Sequence, residues 1–236
     1  LRRMNSLGFF PSFIPELSNI RSLVQFDPYH AYTVDDHTLV AIGMVTALTN
    51  QEHVDLSPVA SQLAQELTQE DREILSVALL LHDVHKGCQP GDVKAYSGDL
   101  VRKLGARLGL GEDSCETAAW LTENHLLLKH TSRFQDIEDT DAIQQFVDKI
   151  PDVKHLNLLR VMTMADTLAL GPGRLSPHAA YRADSVYKKA HNIISGLTEQ
   201  YNRKSFVLPE DYNEGVPYVK ITPNEKIGAD MLTVIT

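Results

Sequence analysis

"LLLHDVHKG", residues 79–87, closes the apolar run Val77-Ala78-Leu79-Leu80-Leu81 with an adjacent histidine and aspartate, His82 and Asp83. The pattern places the pair where the interior begins, and burying polar groups without partners costs several kcal/mol. Two satisfiers are available. The pair can cap or bridge neighbouring helices, or it can hold a cation. On an expected helix the two side chains stand about 100° apart around the axis, so both can lean to one side.

Two further ionisable groups stand in similar surroundings. Asp166 is sunk in Val161-Met162-Thr163-Met164-Ala165, whose methionines read as core packing, and His37 heads a helical stripe running through Leu39, Val40, Ile42, Val45 and Leu48. Imidazole nitrogens and carboxylate oxygens from three separated helices would give a divalent cation a mixed N/O shell, suited to manganese, iron or zinc and less to magnesium. His37, His82, Asp83 and Asp166 are therefore the candidate ligands. His53, His155, His178 and His191 read as surface or hydrogen-bonding residues.

The surrounding chain predicts an all-α domain. Helical periodicity covers the segment that carries His82 and Asp83 and residues 95–108, 113–128, 139–150 and 153–168, and a long polar helix is expected from about Pro177 to Arg203. Leu56-Ser57-Pro58 and Thr68-Gln69-Glu70 supply turn and capping residues, and Gly87 to Gly91 is the first clear break. After Ser205 the character changes to Pro-punctuated short runs and the β-prone Met231-Leu232-Thr233-Val234-Ile235. Residues 1–205 are thus expected to form the helical domain, and 206–236 a linker with the first strands of a following module. The opening Leu1-Arg2-Arg3-Met4 already reads as helix, which fits a piece cut from a longer protein.

Composition narrows the function classes. The 236 residues are 43% hydrophobic and 22% charged, near the globular average, with a net charge of −9. That balance argues against a nucleic-acid or anionic-membrane surface. No stretch approaches the ~18 uninterrupted apolar residues of a membrane span. Two cysteines, Cys88 and Cys115, are too few for a disulfide framework, so a reducing cytoplasm is expected.

The residues singled out resemble the HD superfamily of metal-dependent phosphohydrolases, whose pattern is His, then His-Asp, then a distant Asp. "RRMNSLGFFPSFIPEL", "YHAYTVDDHTL", "LLLHDVHKG", "AAWLTENHLLLKHTSRFQDIED" and "VMTMADTLALGPG" resemble, in order and spacing, the HD domain of bifunctional uridylyltransferase/uridylyl-removing enzymes. The resemblance implies an HD helical bundle followed by an ACT-like domain. It also implies hydrolysis of the uridylyl-tyrosine phosphodiester on the nitrogen-signalling protein PII, with release of UMP. Uridylylated PII and the nucleotide UMP would be the partners, without nucleic acid or membrane. The cofactor would be a divalent metal, Mn2+ or Mg2+ first, with Fe2+ or Zn2+ as alternatives.

Carried over by position, His37, His82, Asp83 and Asp166 match the metal ligands, His125 a histidine near the site, and Lys86 the lysine of the His-Asp-x-x-Lys-Gly signature. Asp83, His125 and Lys86 are the catalytic candidates. His125 would donate a hydrogen bond or act as general acid, and Lys86 would clamp phosphate, with Arg133 a weaker second clamp. A helix-end lysine interacting with the dipole is the bland alternative for Lys86. Lys129 and His130 are expected at the rim, and Asp136 and Asp139 as acidic caps.

Two departures stand out. Val93 occupies the position of a histidine that helps hold a second ion in two-metal relatives, which favours one metal or a weakened hydrolase; His85 could partly substitute. Ser176-Pro177-His178-Ala179-Ala180-Tyr181 replaces a tryptophan-bearing stretch, which bears on docking of PII. Two other readings therefore stay open: a regulatory module that binds metal and nucleotide without turnover, and a nucleotidase acting on free nucleotides.

Overall fold

The computed structural model describes residues 2–25, 32–88 and 91–196. The linker and β-prone segment expected at 206–236 lie outside the described residues. Helices account for the regular structure, and no strand occurs among the described residues. In chain order the helices are α1 (Arg2–Ser6), α2 (Phe9–Phe13), α3 (Val34–Thr49), α4 (Pro58–Glu66), α5 (Gln69–Leu81), α6 (Val93–Gly105), α7 (Glu112–Asn124), α8 (Leu127–Phe134), α9 (Thr140–Val147), α10 (Val153–Leu168) and α11 (Pro177–Ile194). Short 3-10 turns cover Pro15–Ile20, Val84–Gly87 and Ala106–Leu108.

Local chemistry starts most of these helices. Ser57, Thr68, Asp92, Asp139, Asp152 and Ser176 each accept a hydrogen bond from a backbone N–H of the first turn they precede. Thr68 and Asp71 complete a reciprocal capping box. Pro58 and Pro177 stand at the start of their helices, where a missing N–H costs nothing. Asp136 accepts from the Glu138 N–H in the turn before α9, so both expected acidic caps act as backbone acceptors.

α10 is the axis of the domain, packing against α3, α4, α5, α7, α8 and α11. Leu156 and every residue from Leu158 to Asp166 are buried, which fits a segment that is apolar all round. Its polar members are each satisfied or sited. Thr163 donates back to the Leu159 carbonyl, and Arg160 pairs with Asp184 of α11. Asp166 faces the cluster described below. Ile74, Leu75, Ala78, Leu79 and Leu81 of α5 and Ala118, Ala119 and Leu121 of α7 belong to the same core. Burying each such leucine or isoleucine stabilises by about 1.5–3 kcal/mol relative to exposure.

Three helix boundaries differ from the sequence expectation. α5 ends at Leu81, so His82 is its C-cap and Asp83 lies in the following turn, at φ −110° and ψ 6°. The expected run 113–128 is broken at His125-Leu126 into α7 and α8. α11 stops at Ile194, because Gly196 adopts a left-handed φ of 68°, a usual helix-ending conformation for glycine; the rest of the expected helix, 197–203, lies outside the described residues.

Gly87 explains the end of the signature. A Cβ there would collide with the backbone carbonyl of Asn19 in the Pro15–Ile20 turn, so the two turns can pack only if this residue has no side chain. Gly87→Ala is expected to cost about 1–3 kcal/mol, the range for overpacking against backbone, read as a lowered denaturant midpoint. An unchanged midpoint would mean that the turns separate freely.

Candidate metal centre

Three helices bring the four candidate ligands together. His37 lies in the first turn of α3, His82 and Asp83 at the end of α5, and Asp166 near the end of α10. All four are buried, with exposures of 2%, 1%, 4% and 6%. His37 Nε2 is 2.9 Å from Asp166 Oδ1 and 3.9 Å from Asp83 Oδ2. His82 Nε2 is 3.3 Å from Asp83 Oδ2 and 3.5 Å from Asp166 Oδ1. Ligand atoms of His37, His82 and Asp83 all lie within 4.8 Å of one another, a spacing able to hold one ion.

The imidazoles are oriented by backbone carbonyls. His37 Nδ1–H donates to the Ala169 carbonyl at 3.2 Å, and His82 Nδ1–H to the Leu79 carbonyl at 2.7 Å. His125, the C-cap of α7, repeats the second arrangement with the Thr122 carbonyl at 2.7 Å. A carbonyl can only accept, so each Nδ1 carries the hydrogen; His37 Nε2 bonds to Asp166 Oδ1 at 2.9 Å, whereas the Nε2 atoms of His82 and His125 are left for other work. This is the second-shell orientation that metal-ligating histidines require. His82 Nε2 is buried and has no hydrogen-bond partner, since the nearby carboxylates do not meet bonding geometry.

The electrostatics agree. Burial opposes charge on His82, but Asp83 and then Asp166 outweigh it and push the imidazole up to about 10. Burial would raise Asp83, yet His82 and Lys86 hold it well below the usual carboxylate range. Asp166 is also held well below that range against burial, first by Lys129 and then by His37 and His82. A field that favours a proton at His82 Nε2 favours any cation there. Two carboxylates, two oriented imidazoles and an orphaned buried nitrogen therefore fit a divalent ion. The shell these groups would offer is a mixed N/O one.

His125 stands beside this group, its ring centroid 5.2 Å from that of His82. Burial and then the positive His82 pull it down to about 4, so it is neutral near pH 7. Lys86 Nζ is 2.6 Å from Asp83 Oδ2 and 3.1 Å from Gln25 Oε1. Lys129 corrects a sequence expectation: it is not confined to the rim, because its Nζ reaches to 3.3 Å from Asp166 Oδ2. The contact spans 37 residues of chain, and helical spacing carries no signal for it.

The remaining candidates lie apart from the ligand group. His85, half-buried on the 3-10 turn, donates from Nδ1 to the His82 carbonyl. Val93 is exposed as the first residue of α6 and offers no lone pair. Arg133 stands over the exposed Phe134 ring at 5.3 Å, and His130 meets the same ring at 5.1 Å between centroids.

A profile of the HD domain matches residues 56–170. The chain is 37% identical over 196 residues to a bifunctional uridylyltransferase/uridylyl-removing enzyme of Azospirillum brasilense, covering 83% of this chain and 21% of the relative. It is 35% identical to the enzyme of the same description from Ruegeria pomeroyi, over 86% of this chain and 22% of the relative. With that of Novosphingobium aromaticivorans it shares 38%, over 88% and 22% respectively. The chain thus spans about a fifth of the length of the curated relatives it matches. No described helix is long and apolar enough to cross a membrane.

Proposed function

The chain carries a domain of the HD family, and from that premise we propose that it is a metal-dependent phosphodiesterase removing UMP from a uridylylated tyrosine of PII, in the cytoplasm. The observation that carries this reading is the convergence of His37, His82, Asp83 and Asp166 around one unpartnered imidazole nitrogen. These four residues would hold the ion, manganese or magnesium first.

When bound, a divalent cation supplies neutralising charge and acidifies water toward neutral pH, the two needs of phosphodiester hydrolysis. The chain's own groups do the rest. Nδ1–H bonds to backbone carbonyls fix the rings of His37 and His82, aiming His37 Nε2 at Asp166 and leaving His82 Nε2 unpartnered. His125, its Nδ1–H committed to Thr122, presents a lone pair at Nε2 and therefore accepts a hydrogen bond from the attacking water. We take this acceptor role over the proton-donor role expected from the sequence, because the ring is neutral near pH 7. Lys86, 2.6 Å from Asp83 Oδ2, would neutralise a non-bridging phosphoryl oxygen with its ammonium. The tyrosine phenolate, with a pKa near about 10, can depart without a strong acid.

The test is direct. With uridylylated PII and Mn2+, the chain should release UMP, and EDTA should stop it. EDTA should also lower the melting temperature, because an ion at a hundred times its Kd stabilises only the folded form, by about 2.7 kcal/mol. For a domain of this size that corresponds to roughly 5–10 °C. A melting curve indifferent to EDTA would overturn the metal site. A metal-dependent curve without UMP release would favour the second reading, a nucleotide-binding regulatory module, for which Val93 at the start of α6 is the supporting feature.

A further inference from the structure

Lys129 lies on α8, one turn beyond His125, and its side chain is 30% exposed. The Nζ atom reaches 3.3 Å from Asp166 Oδ2, whereas Asp166 Oδ1 faces His37 and His82. One carboxylate thus presents two oxygens to two different cationic surroundings. At Asp83 one oxygen serves both: Lys86 Nζ meets the same Oδ2 that His82 approaches from the buried side. The two ammonium groups stand on the outer side of the ligand group and the imidazoles on the inner side.

The charge balance gives this layout a purpose. A divalent ion on the inner side would neutralise Asp83 and Asp166 by itself, leaving both lysines as excess positive charge at the partly exposed outer side. In a chain of net charge −9, such a patch selects an anionic ligand that the rest of the surface repels. We propose that Lys129 is a phosphate-binding residue of this site, a fixed ammonium that takes a non-bridging phosphoryl oxygen and serves as the site's second cationic group beside a single metal ion. The proposal rests on the metal-centre reading above and adds a residue that neither the signature nor its spacing assigns.

A structural lysine and a phosphate-binding lysine predict opposite signs, which makes the test decisive. The experiment uses the whole chain with Lys129→Met and Lys129→Arg, with Mn2+ affinity measured by electron paramagnetic resonance and UMP affinity by calorimetry in saturating Mn2+. A charged hydrogen bond to phosphate is worth enough that Lys129→Met should weaken UMP binding roughly 10- to 100-fold. The same substitution removes a positive neighbour of Asp166, so Mn2+ should bind several-fold more tightly. Lys129→Arg should restore UMP affinity to within a few-fold of wild type.

A Lys129→Met chain that loses stability, Mn2+ affinity and UMP affinity together would overturn the proposal in favour of a structural ion pair. Unchanged UMP affinity with Mn2+ still bound would overturn it while leaving the metal centre intact. Failure of the wild-type chain to bind Mn2+ would remove the metal-centre reading, and this inference with it.

Discussion

Asp83→Asn is expected to abolish Mn2+ binding and to reduce UMP release more than about a hundredfold, beyond the 10- to 100-fold typical of outer-shell partners of a metal. Asparagine keeps the size of the side chain and removes its charge. In the wild-type site Asp83 Oδ2 is the meeting point of His82 at 3.3 Å, His37 at 3.9 Å and Lys86 at 2.6 Å. Without that charge, three groups with cationic forms face one remaining carboxylate, and a divalent ion would enter a site that repels it. The checking measurement pairs UMP release with melting curves in Mn2+ and in EDTA. The variant should melt at the same temperature in both, whereas wild type should not. An Asp83→Asn chain that keeps Mn2+ affinity within threefold of wild type would remove Asp83 from the ligand set.

The candidate ligand cluster was legible because its signal is a contradiction within the sequence: charged groups at positions that hydrophobic periodicity assigns to the interior. His82, Asp83 and Asp166 all carry it. The all-α architecture was legible for a related reason, since the apolar run around Met162 and Met164 is too long and too evenly apolar for anything but a central helix. What failed was resolution at helix ends. Periodicity continues smoothly through His82 and His125, but each imidazole turns back to the carbonyl three residues earlier and closes the helix there. That competition between side chain and backbone is local and has no periodic signature. It also matters to the site, because capping is what aims both Nε2 atoms. The end of α11 at Ile194 did have a signal, Gly196, outweighed by the polar helical pattern that follows it in the sequence. Lys129 had none, since nothing local marks that the single lysine of α8 lies opposite Asp166.

The second large effect is expected far from the metal centre, at Asp184. Arg160 of α10 is 1% exposed, and its guanidinium donates to Asp184 Oδ1 from Nε at 2.9 Å and from one terminal nitrogen at 2.6 Å. The same nitrogen donates to Ser57 Oγ at 2.8 Å, and that hydroxyl donates in turn to Asp184 at 2.8 Å while accepting the Ala60 N–H that starts α4. Three helices, α4, α10 and α11, therefore meet on one buried ion pair. Asp184→Ala leaves the guanidinium buried and uncompensated, which typically costs about 3–5 kcal/mol. Asp184→Asn keeps one acceptor oxygen and should cost less. Chemical denaturation of both variants gives the comparison, and equal losses would mean that packing, and not charge, holds the three helices. Because α10 also carries Asp166, Asp184→Ala should weaken Mn2+ binding in proportion to the unfolded population and no further. A loss of metal affinity in chains still fully folded would show instead that this ion pair sets the position of Asp166 six residues along the same helix.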